Sequence, residues 1–157
     1  FNLLVAAVLV YLSAAAQTPA ATIPEFEFIT TSGTQFTKKN LGKTTPIFFI
    51  LFDVSCDHCQ HAISFLHGHQ AQLAKATIYL VTLDPKDKAT GFLQVYGPNL
   101  LKAKNTTLLL DPKNHFITHF TPRKYPSMML YSKGFKLLKY EDDEKTLPVF
   151  LELIRTN

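Results

Sequence analysis

Residues 47–52 read Ile-Phe-Phe-Ile-Leu-Phe, with no polar residue to break the run. A strand with one wet face alternates apolar and polar residues, so this segment has no face to give to water. It predicts a strand covered on both sides, as in the middle of a parallel or mixed sheet. Two covering layers need a chain of some size. At 157 residues, 46% hydrophobic and 18% charged, this one fits a single globular domain and is too apolar for a disordered chain. Its 2 cysteines cannot staple a disulfide scaffold. The net charge of +4 is spread along the chain, so no nucleic-acid partner is expected.

Phe26 and Phe28 alternate with Glu25 and Glu27, and Ser32-Gly33 leads to Gln35-Phe36-Thr37, which predicts an N-terminal hairpin. Segments 77–83, 106–110, 127–131 and 135–140 read as further strands, the last two joined by Ser132-Lys133-Gly134. Ile63, Leu66 and Leu73 lie near helical spacing within 56–75. Ala89, Phe92, Leu93 and Tyr96 repeat that spacing after Asp84-Pro85 and stop at Gly97-Pro98. Leu147, Phe150, Leu151 and Ile154 mark a final helix, and 115–120 reads as a short helical turn exposing His115 and His119. The order predicts an α/β fold: a central mixed sheet with helices on both faces, an N-terminal hairpin and a central β-α insert.

Residues 1–16 carry no charge, run apolar from Leu3 to Leu12 and end in Ser13-Ala14-Ala15-Ala16. That pattern reads as a secretory signal peptide truncated at its start and cut after Ala16. The apolar run is shorter than the roughly 20 residues of a membrane span. An uncleaved anchor whose start is lost is the alternative. Either way the domain at 25–157, behind a linker at 17–24, is expected to be exported, to a periplasm or the cell envelope. In such a compartment a cysteine pair can cycle as a disulfide.

The apolar strand runs through Asp53-Val54-Ser55 into Cys56-Asp57-His58-Cys59, where a helix is predicted to start. A sulfur at a helix N-terminus meets unpaired N–H groups and the positive end of the helix dipole, which favour thiolate. Cys56 is therefore expected to attack, and Cys59, one turn further in and more shielded, to resolve the mixed disulfide. His58 adds a dipolar or cationic group near the Cys56 sulfur and is expected to make the couple more oxidising.

Together with Leu108-Leu109-Leu110-Asp111-Pro112 and Tyr125-Pro126-Ser127-Met128-Met129-Leu130-Tyr131, this motif resembles the thioredoxin superfamily over residues 23–155. The surrounding sequence is most similar to the exported TlpA/ResA-type thiol-disulfide oxidoreductases of the wider redoxin group, while the Cys-x-His-Cys form is similar to that of the oxidant DsbA. The resemblance implies a thioredoxin-like fold and a cis Pro126 lying against the active disulfide. It implies a substrate-binding edge at the Tyr125 backbone, with Ser55 and Asp57 beside it. It implies protein thiols or disulfides as partners, apocytochromes or a membrane thiol reductase among them, a monomeric chain, and no organic cofactor or metal. Ser55 departs from the Trp often found before the first Cys, and Ile50 from the buried acid of thioredoxin, for which Asp53 is the nearer substitute. Arg123-Lys124-Tyr125 replaces the usual Gly-x-x-Pro-like approach.

Other chemistries fit less well. A structural zinc site wants four ligands, and no second Cys pair exists. His58, His61, His67 and His69 cluster in sequence but are read as falling on different helix faces, except that the spacing of eight allows His61 and His69 to share one, as solvated surface. Gln60 stands where covalent haem attachment needs His, and Asp53 where a peroxiredoxin carries Thr or Ser. The second reading is a copper-handling protein that uses Cys56, Cys59 and a His as soft ligands. The run Glu141-Asp142-Asp143-Glu144 reads as a solvated loop whose acids suit the start of the final helix.

Overall fold

The computed structural model describes residues 17–157, so the signal-peptide reading lies outside the described residues. The strands are β1 (Glu27–Thr30), β2 (Gln35–Thr37), β3 (Ile47–Leu51), β4 (Thr77–Thr82), β5 (Thr106–Leu110), β6 (Ser127–Tyr131) and β7 (Leu137–Glu141). They form one 7-stranded sheet in the order β2-β1-β5-β4-β3-β6-β7. The helices are α1 (Asp57–Gly68), α2 (Lys86–Tyr96), α3 (Pro98–Lys102) and α4 (Leu147–Thr156).

The apolar run explains the centre of this sheet. β3 pairs parallel with β4, Ile47 opposite Thr77, and antiparallel with β6, Ile47 opposite Tyr131. All its residues are buried, as a strand covered on both faces demands. Successive side chains then feed two cores. Phe48, Ile50 and Phe52 join Ile63 and Leu66 of α1, Phe92 and Leu93 of α2, Leu100 of α3, and Phe150 and Ile154 of α4. Ile47, Phe49 and Leu51 join Ile23, Phe26, Phe28, Phe116 and Phe120.

Among the described residues the α-helices all pack on one face, and the short helix expected at 115–120 covers the other, so both faces carry helical cover as expected. The reason the α-helices share a face is topological. β3, β4 and β5 step across the sheet in one direction, and crossovers between parallel strands are right-handed, so α1 and the α2–α3 pair fall on the same side. The other face is closed by a wide helical turn at Phe116–Phe120 and by the segment before β1. Buried Asp111 starts that turn: its Oδ1 accepts from the His115 N–H at 2.9 Å and its Oδ2 from the Phe116 N–H at 2.7 Å. His115, expected to be exposed, is half-buried, and its Nδ1 accepts from the Glu27 N–H at 3.0 Å. His119 is exposed, and its Nδ1 donates to the Glu25 carbonyl at 2.7 Å.

Residues 17–24, read as a linker, dock onto this second face. Thr22 bridges to Lys136, the Ala20 N–H donates to the Phe120 carbonyl at 3.0 Å, and Ile23 is fully buried. α1 ends at Gly68, short of the predicted residue 75, and a tight turn at Gln70–Leu73 carries Leu73 into the core. Pro98 does not simply stop α2; it opens α3 from a first-turn position. Gly97 at the junction lies against α1, where a Cβ would stand 2.8 Å from the Ile63 Cγ2.

Candidate dithiol site

The loop after β3 is held by two carboxylates. Asp53 Oδ1 accepts from the Ser55 N–H at 2.7 Å and the Ser55 hydroxyl at 2.5 Å. Asp84 Oδ2, just past β4, accepts from the Val54 N–H at 3.0 Å and the Thr82 hydroxyl at 2.9 Å. These bonds fix the turn that delivers Cys56 to the N-cap of α1, and they give Asp53 a structural task. Ser55 and Asp57, on either side of Cys56, are exposed.

At the cap, the Cys59 N–H donates to the Cys56 Sγ at 3.2 Å. The Cys56 sulfur therefore takes the place of the oxygen that usually caps a helix, an acceptor role that thiolate fills better than thiol. Cys56 is half-buried and Cys59 fully buried, and both are free thiols. Burial, and then the hydrogen bond with the Cys56 sulfur, push the Cys59 thiol far up. The sequence motif thus yields one reachable sulfur at the helix cap and one protonated sulfur behind it.

Pro126 is buried, follows Tyr125 through a cis peptide bond, and leads into β6, whose Ser127 lies opposite Leu51 at the end of β3. That register brings the Tyr125-Pro126 segment to the strand end from which the dithiol loop departs. Tyr125 packs against both cores. Burial, followed by the charges of Asp53, Asp84 and Cys59, pushes its phenol up, which marks how near the ring lies to the dithiol loop. Arg123 covers the Tyr140 ring at 4.7 Å and pairs with Asp142 at 2.8 Å, so the basic approach to Pro126 is anchored to β7 and the residue after it.

His58 has a carboxylate partner that the sequence did not point to. Its Nδ1 donates to the Glu144 Oε1 at 3.0 Å, so the ring turns toward the start of the last helix. His61 Nδ1 lies 3.9 Å from the same oxygen. The reading that placed these histidines on different faces is corrected: residues three apart on a helix are neighbours. His67 and His69 are engaged elsewhere, His67 accepting from the Asn99 N–H at 3.2 Å and His69 donating to the Phe65 carbonyl at 2.7 Å.

Glu144 was missed as a site residue. It opens a tight turn, Glu144–Thr146, begun by Asp143, whose Oδ1 accepts from the Lys145 N–H at 3.0 Å. The acidic run is therefore not a plain solvated loop; Asp142 holds Arg123, and Glu144 holds His58. Burial works against the Glu144 carboxylate, but the bond from His58, a backbone bond and the charges of both histidines together hold it below the ordinary carboxylate range. No local signal marks this residue, because its partner is 86 positions away. An open cleft of about 270 Å³ lies between His58, Tyr125, Lys124 and Glu144.

No family model matches the sequence, and no curated protein matches it. Solved structures do match by shape. A Chlorobium tepidum protein assigned as a thiol:disulfide interchange protein DsbE is 17% identical and superposes with a TM-score of 0.70, over 90% of this chain and 100% of its own. Peroxidoxin BcpB from Mycobacterium tuberculosis is 15% identical, with a TM-score of 0.72 over 90% of this chain and 98% of its own. A secreted Mycobacterium tuberculosis disulfide oxidoreductase homologous to E. coli DsbE is 15% identical, with a TM-score of 0.65 over 82% of this chain and 95% of its own. These likenesses establish a thioredoxin-like fold, as the motifs had implied.

Proposed function

We propose that the chain is a thiol-disulfide oxidoreductase acting on protein partners. The observation that carries this is the Cys56 sulfur at the cap of α1, receiving the N–H of a fully buried Cys59. In the reducing direction the Cys56 thiolate attacks a partner disulfide, forming a mixed disulfide and releasing one partner thiolate. Cys59, losing its proton, then attacks the Cys56 sulfur and releases the second partner thiolate. Two electrons pass to the partner, and a Cys56–Cys59 disulfide remains. The oxidising direction is the same sequence reversed. The dithiol carries the electrons, so neither an organic cofactor nor a metal enters these steps. Tyr125 and Pro126 shape the face that meets an extended partner segment, with Ser55 and Asp57 at its rim. His58 tunes the couple through its bond to Glu144. The names of the structural neighbours support the same chemistry.

The apolar leader supports an exported, periplasmic or cell-envelope setting, with apocytochromes or a membrane thiol reductase among the candidate partners. Among the described residues no helix is long and apolar enough to cross a membrane. Copper handling through Cys56, Cys59 and a histidine is the weaker reading, because the cluster of metal-ligating side chains among the described residues contains neither cysteine. Insulin reduction by dithiothreitol, with the protein as catalyst, tests the proposal. Cys56→Ser should bring the rate to the uncatalysed background; undiminished catalysis would sink it.

A further inference from the structure

The His58–His61–Glu144 cluster is more than an ion pair beside the dithiol. Its three ligand atoms lie within 4.8 Å of one another. Two separations are 3.0 Å and 3.9 Å, both measured from the Glu144 Oε1. Four ligands set tetrahedrally at about 2.1 Å from zinc stand about 3.4 Å apart, so the two separations from Glu144 are near that spacing and rotation of the two rings sets the third. The donor set, two imidazoles and one carboxylate, suits a borderline divalent cation and recurs in zinc sites that keep one position open.

The surroundings fit the same use. Glu144 is only 13% exposed and sits in the turn before α4, whereas His58 and His61 are 69% and 71% exposed. The carboxylate is thus the shielded element, and the two exposed rings can close on an ion from solvent, His58 exchanging its hydrogen bond to Glu144 for the ion. The ligands come from two elements far apart in sequence, the first turns of α1 and the turn that starts α4. Such an ion would tie these elements together. Neither cysteine belongs to the cluster.

We propose that His58, His61 and Glu144 form a three-ligand site for a borderline divalent cation, zinc being representative, with its fourth position open to solvent. The site shares His58 and Glu144 with the tuning pair proposed above but contains neither thiol, and its test removes both thiols.

The experiment is a calorimetric titration of the full chain, carrying Cys56→Ser and Cys59→Ser, with zinc chloride alone. One ion should bind per chain. Adding His61→Ala or Glu144→Gln should each weaken binding at least tenfold, with circular dichroism confirming the fold. His61 is exposed, so the first of these variants is not expected to unfold. Absence of binding to the thiol-free chain would overturn the site, and so would binding that survives both added substitutions. Failure of insulin reduction would leave this result untouched, which keeps the two proposals separable.

Discussion

The two faces of the sheet solve the same problem with different materials. One is packed by helices and is mainly aliphatic, with Ile63, Leu66, Leu93 and Leu151 against Phe48 and Ile50. Among the described residues the other carries no α-helix and is built from rings. Phe116 and Phe120 stack at 4.4 Å, Phe26 and Phe28 at 4.4 Å, and Phe49 sits among Tyr79, Phe120 and Tyr131. Large rings fill the space that a short turn and an extended segment leave open. The difference teaches where chemistry can be placed. A helix supplies an N-terminus, and with it the cap that holds Cys56 and the core that buries Cys59; the aromatic face supplies closure. The faces meet at Tyr125, which packs against both beside the dithiol loop.

If that division holds, core truncations on the two faces will cost similar stability and differ at the thiols. Phe49→Ala should cost about 3–5 kcal/mol and Leu66→Ala about 2–5 kcal/mol in urea unfolding. Alkylation of Cys59, compared at matched folded fractions, should speed up with Leu66→Ala and stay slow with Phe49→Ala. Equal acceleration by both would erase the functional contrast between the faces.

A smaller effect tests how the aromatic face is sealed. The Tyr131 hydroxyl donates to the Ala20 carbonyl at 2.9 Å, holding the segment before β1. Tyr131→Phe should cost about 1 kcal/mol and raise protease cleavage within 17–24. Unchanged cleavage would mean that Ile23 and the Thr22 bridge hold the segment without it.

The smallest effect lies on the helix face. The folded-state pKa of Glu144 is lowered, so its contribution is fully present above the ordinary carboxylate value of about 4.3. It is lost as pH falls through the lower folded value, since the unfolded state then binds the proton first. The stability gap between the protein and Glu144→Gln should therefore narrow as the pH is taken down through the carboxylate range. A gap that widens toward acid would contradict the assigned direction.

The contrast between the faces also explains what the sequence could tell. Strands β3 and β5 and the helix faces of α2 and α4 are written as local apolar patterns, and so is the placement of Cys56 at a helix start. Pairing across long separations is not. Glu144 looks like one acid in a run until α1 is packed beside it, and Ile23 is a single anchor inside a stretch of Pro, Ala and Thr. Sidedness follows the same rule: local spacing says that a helix has an apolar face, while strand order decides which side of the sheet receives it.

The central claim is that the pair has a fixed division of labour, with Cys56 at the cap attacking and Cys59 behind it resolving. The most direct test is to mix reduced Cys59→Ser and reduced Cys56→Ser variants separately with an excess of a disulfide-bonded protein and run non-reducing gels. Cys59→Ser should accumulate a mixed disulfide through Cys56, identified by mass spectrometry, and Cys56→Ser should accumulate none. Trapping by Cys56→Ser with none by Cys59→Ser would reverse the roles and contradict the account.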